Sequence, residues 1–90
     1  MRLTKGADVF SGDGEKLGTL DRVILDPKTK EVTHLVISKG LLFTTNKIVA
    51  FDDLDQNVTD SITLRSPKRD LKDFQDFEET HYVDLDQTEN

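Results

Sequence analysis

The 90-residue sequence predicts an all-β protein, a small antiparallel barrel over residues 1–65, followed by a short helix and an acidic tail over residues 66–90. Three observations lead to this. Turn-forming Gly, Pro and Asp recur through the first two thirds of the chain at the spacing of short strands. The segments between them are rich in β-branched and aliphatic residues at strand length. No segment before residue 66 carries a sustained helical stripe.

In chain order, Val9-Phe10 reads as a short opening strand, closed by the turn SGDGEK, in which Asp13-Gly14 is a tight-turn pair with Gly supplying positive φ. The segment LGTLDRVIL is the next strand. The turn DPKTKE ends it, with Pro27 pre-set for the second position of a type I turn. EVTHLVIS, NKIVAF and SITLR complete the set, so five or six strands share about 65 residues. Closing such a sheet on itself hides its edges. Alternation is imperfect in Val32 to Ile37: Leu35 and Ile37 face one way and Val32 and Val36 the other, so both faces need cover.

After Ser66-Pro67 the pattern changes. Leu71, Phe74 and Phe77 recur every three residues, a narrow stripe on a helix of about ten residues. Pro67 suits its first position and Ser66 can cap it. The remainder is polar and acidic.

Composition bounds the function. A chain this short buries only about 60–65% of its unfolded surface, which leaves no room for a deep enzyme cleft. There is no cysteine, hence no disulfide framework or thiolate metal site, and the longest apolar run, Ile48 to Phe51, is far too short to span a membrane. A soluble cytoplasmic protein without membrane insertion is expected. Residues 1–65 hold 9 Lys/Arg against 10 Asp/Glu, whereas residues 66–90 hold 3 against 8. With an acidic tail and no basic stripe, direct nucleic-acid binding is not expected.

Several motifs are weaker than they look. GDGEKLG, Gly12 to Gly18, lacks phosphate-loop spacing and leads into a strand rather than a helix. DDLDQN, Asp52 to Asn57, has oxygens for a cation but misses the EF-hand glycine and glutamate, and reads as a solvated turn with Asp52 or Asp53 capping a helical turn. His34 has no second ligand at zinc spacing and no nucleophile beside it, though Asp21 could be its hydrogen-bond partner. Ser38 lies in no nucleophile elbow. No catalytic residue, metal site, cofactor or small-molecule substrate is expected.

Leu41, Leu42 and Phe43 follow Gly40 directly, where a loop should turn polar. Burying three such side chains is worth roughly 5–7 kcal/mol gross, so leaving them wet is implausible. Three covers are open: the tail stripe of the same chain, a symmetric homodimer, or another protein or second barrel. The expected protein-interaction residues are therefore Leu41, Leu42, Phe43, Phe74, Phe77 and Tyr82.

The ordered series Gly6, Val9, Asp13-Gly14, Leu17-Gly18, Val23, Asp26-Pro27, Val32, Leu35-Val36 and Gly40, continuing loosely through NKIVAFDDL and SITLR, resembles the PRC-barrel domain. The resemblance covers roughly residues 6–65. It implies a six-stranded β-barrel of the type also found at the C-terminus of a ribosome maturation factor, and a binding or scaffold module with no shared catalytic site. It implies too that residues 66–90 could link to a second barrel. Two positions depart from the family pattern: Lys30 stands where relatives often have Gly, and Ala50 where they often have Pro. The function expected is a non-enzymatic protein-interaction or scaffold module that binds a protein partner or itself. The alternative is a ribosome-assembly or RNA-processing accessory barrel that binds a basic ribosomal protein.

Overall fold

The computed structural model describes residues 2–39, 46–67 and 73–78. Six strands occur among them: β1 (Asp8–Phe10), β2 (Lys16–Leu25), β3 (Val32–Ser38), β4 (Lys47–Ala50), β5 (Ile62–Thr63) and β6 (Gln75–Asp76), with a 3-10 turn at Phe51–Asp53. They form one curled half-barrel sheet in the order β5-β1-β2-β3-β4-β6.

The turns that separate the strands are built by their own side chains. The Ser11 hydroxyl donates to the Asp13 carboxylate and accepts from the Glu15 amide at 3.1 Å, while Gly14 takes φ 90°. The Asp26 carboxylate accepts from the Lys28 and Thr29 amides at 2.7 and 3.2 Å, which folds the β2–β3 connection back on itself. Lys30 closes that turn with φ 65°, its amide donating to the Asp26 carbonyl at 2.8 Å.

The sheet is mixed rather than wholly antiparallel. β1 through β4 alternate in direction, but β5 lies beside β1 and runs parallel to it. The reason is geometric. β5 keeps the alternation of the meander and so runs in the direction of β1, and because it crosses to β1 instead of pairing with β4, the pair is parallel. The 3-10 turn starts that crossing, and an antiparallel bridge between Leu54 and Leu64 pins it. Asp52 and Asp53 lie inside this turn and do not cap it. Ala50 occupies the cap position with no side-chain bond.

The tail also differs from the helix that its spacing predicts. Residues 75–76 form a strand, not part of a helix, and it pairs antiparallel with β4. A three-residue spacing fits a helical stripe, but in extended chain it sends Phe74 and Phe77 to opposite faces. The sheet accordingly runs past residue 65. Leu71 lies outside the described residues.

The concave side holds the main core: Val9, Leu17, Leu20, Val23, Leu35, Ile37, Val49, Leu54, Ile62 and Leu64. Val32 packs against this core with Leu35 and Ile37, not on the other face with Val36. Between Ile24/His34 and Leu25/Val32 the register slips by one residue, leaving Thr33 as an extra residue in β3. Such a bulge reverses the phase of alternation.

Gly18 marks a close approach of β2 to β3, where a Cβ would sit 2.3 Å from the Ser38 carbonyl oxygen. Gly18→Ala should therefore lower the melting temperature; an unchanged value would show that the strands can part there without loss. Lys30→Gly should raise it, because the left-handed backbone of a lysine costs on the order of 1 kcal/mol, and an unchanged or lower value would contradict that.

Candidate functional site

Directly paired residues of neighbouring strands share a face of the sheet. The registers place Arg22, Val36, Ile48 and Gln75 in one row, and Ile24, His34 and Ala50 in the next. Between them, Val23, Leu35 and Val49 point into the main core. The first two rows are thus on the convex side, where polar residues are the rule for a one-layer sheet. Ile24, Val36 and Ile48 nevertheless form a second buried cluster there, with Phe77 packed against it.

Phe77 is delivered by β6. Asp76 pairs with Lys47 and Gln75 with Ile48, and the Phe77 amide donates to the Asn46 carbonyl at 2.8 Å. The Lys47 ammonium meets the Asp76 carboxylate; the lysine side chain is only 12% exposed and the aspartate 56%. Above the ring lies Arg22, its guanidinium carbon 5.5 Å from the centroid, a cation–π contact worth about 0.5–1 kcal/mol.

A bulge in β2 supplies the polar rim. Leu20 pairs with Ile37 and Arg22 with Val36, so Asp21 is an extra residue. Its carboxylate accepts from Arg22 Nε at 3.2 Å and from Asn46 Nδ2 at 3.3 Å. Asn46 therefore joins the tail strand, through its carbonyl, to the β2 bulge, through its amide. The resulting face is an apolar floor flanked by the Arg22 guanidinium and closed by a short aromatic strap, while Lys47, paired with Ile37, meets Asp76 on the concave side of the same edge. Burial of each floor residue contributes about 1.5–3 kcal/mol, more than either charged contact.

Of the six residues expected to make contacts, two are described. Phe74 packs against the main core and Phe77 against the outer cluster, so the two aromatics serve opposite sides of one sheet. Leu41, Leu42, Phe43 and Tyr82 lie outside the described residues. In the chain, the first three belong to the connection between β3 and β4, the strands that carry Val36 and Ile48. Ile24, Ile48, Arg22 and Asn46 were not anticipated as parts of one surface. The available signal was the run of consecutive aliphatics in each central strand, Val23-Ile24, Leu35-Val36-Ile37 and Ile48-Val49, which a sheet with one wet face does not need.

His34 stands beside this floor, its Nδ1 3.0 Å from the Thr33 hydroxyl, and partial burial pushes its pKa below the ordinary 6.5. A cleft of about 560 Å³ opens next to it, lined among others by Ala50, Asp53, Asp73 and Phe74. Among the described residues, no group of three or more His, Cys, Asp or Glu side chains is placed to hold a metal ion, and no helix is long and apolar enough to cross a membrane.

The family model described as PRC-barrel domain matches residues 4–71. No curated protein sequence matches the chain significantly.

The depressed pKa of His34 has a definite sign. The folded state prefers the neutral ring, so its contribution is fully present above 6.5 and is lost as pH falls from there through the folded value. Between about pH 7.5 and about pH 5.5 the wild type should lose more thermal stability than His34→Gln. Equal losses would remove His34 from the balance.

Proposed function

The chain belongs to the PRC-barrel domain family, and on that premise we propose that it is a non-enzymatic protein-interaction module whose contact surface is the strapped convex face. The observation that supports this most is the second cluster. A small barrel needs one core, and this one buries Ile24, Val36 and Ile48 on the opposite side, with Phe77, just after a strand of two residues, packed against them. A face of that kind is adhesive once uncovered. Phe77 is the removable cover of this face, and Leu41, Leu42 and Phe43, whose placement lies outside the described residues, are kept as further contact residues on the strength of their apolar sequence alone. The partner is another protein or a second copy of this chain. The cysteine-free sequence suits a reducing compartment, and we place the protein in the cytoplasm.

Replacing the cover tests this. Phe77→Ser should stay folded by circular dichroism yet show concentration-dependent association by light scattering. Adding Val36→Thr, of similar volume but with a hydroxyl on the floor, should reverse the association. A folded Phe77→Ser protein that remains a 10.2 kDa monomer throughout would show that the face is not adhesive, and the proposal would fall.

A further inference from the structure

We propose that the β4 edge takes a specific ligand: an extended segment of another protein carrying an acidic residue followed by an aromatic one, added as a strand in place of β6, with its acid on the concave side at Lys47 and its ring on the convex floor. This rests on the interaction-module reading and gives its partner a chemistry.

The chain's own strap shows what fits. Along the β4 edge, the position opposite Lys47 is held by a carboxylate, that of Asp76. The next residue, Phe77, donates its amide to the Asn46 carbonyl and lays its ring on Ile24, Val36 and Ile48, under the Arg22 guanidinium. Each element reads a different property of the incoming chain. The strand edge reads extended backbone, as in other strand-addition complexes. Lys47 selects a negative charge at one position. The apolar floor with Arg22 over it selects a flat, electron-rich ring at the next. A basic residue opposite Lys47, or an aliphatic one beneath Arg22, satisfies only part of this.

The strap is also built to yield. It pairs with only two residues of the four in β4, Lys47 and Ile48, leaving Val49 and Ala50 outside the β6 ladder. Its Gln75, Asp76 and Glu78 are exposed, and its apolar contacts are those of Phe74 and Phe77. A longer partner strand that continues opposite Val49 and Ala50 gains backbone bonds that β6 does not make. The cleft beside Ala50 lies in that direction. Tethering raises the effective concentration of the strap, so it sets a threshold that a short or mismatched segment does not cross.

The test uses the full chain and two fluorescein-labelled hexapeptides, one copying residues 73–78 (DFQDFE) and one with its acids replaced by glutamine (QFQQFQ), followed by fluorescence anisotropy. The acidic peptide should bind Phe77→Ser at least about tenfold more tightly than wild type, because the strap no longer competes. It should bind more tightly than the neutral peptide. Lys47→Glu in the Phe77→Ser background should abolish that preference, and a peptide with Lys at the position of Asp76 should restore binding to it. Arg22→Gln, which leaves the floor intact, provides a second variant in which acidic-peptide binding should weaken. Equal binding of both peptides would overturn the acidic–aromatic rule while leaving the face a strand acceptor. Binding of neither, to a folded Phe77→Ser protein, would overturn this proposal and the interaction reading together.

Discussion

Leu35, Val36 and Ile37 are consecutive in β3, and all three are fully buried. Consecutive residues of a strand point to opposite faces, so three buried in a row require cover on both sides of the sheet. On the concave side the cover is the main core. On the convex side, among the described residues, it comes from one aromatic side chain, Phe77, which directly follows the two-residue strand β6. The other features of this surface are consequences. The β6 strand pairs with β4 because Phe77 has to reach Val36 and its neighbours. Lys47 and Asp76 meet because they are cross-strand neighbours in that pairing, and Asn46 receives the amide that follows.

Irregularities in the central strands aim the side chains. The extra residue Thr33 returns Val32 to the concave core after His34 and Val36 have faced outward. The extra residue Asp21 lets Leu20 point inward and Arg22 outward across one register step, and its own carboxylate holds both Arg22 and Asn46. Without these two bulges a strict period of two would have put a different set of residues on each face. Close approach at Gly18 adds a further constraint, since only a residue without Cβ lets the β2 backbone lie against Ser38.

Much of the barrel was legible in the sequence because its signals are local. Asp13-Gly14 and Asp26-Pro27 specify turns through their own backbone and side-chain bonds, and Lys30 occupies the left-handed position that the family resemblance indicated. What escaped was non-local. A bulge leaves no mark on strand propensity, so the orientation of Val32 came out reversed. The parallel β1–β5 pair follows from where the chain crosses after β4, and no single residue encodes that. The tail misled for a different reason. Leu71, Phe74 and Phe77 have the spacing of a helical stripe, but the unfilled edge of β4 and the uncovered Val36 favour an extended chain. Phe77 was identified as a contact residue, while the floor beneath it became visible only once three strands were set in register.

The strapped face therefore depends on residues 75–77 being extended against β4. Proton NOEs in the isotope-labelled full chain test this directly. Cross-strand contacts between Lys47 and Asp76, or Ile48 and Gln75, together with contacts from the Phe77 ring to the methyl groups of Ile24, Val36 and Ile48, are the predicted result. Helical contacts between residues three apart through Phe74 and Phe77, with the Val36 methyls free of any aromatic neighbour, would contradict it.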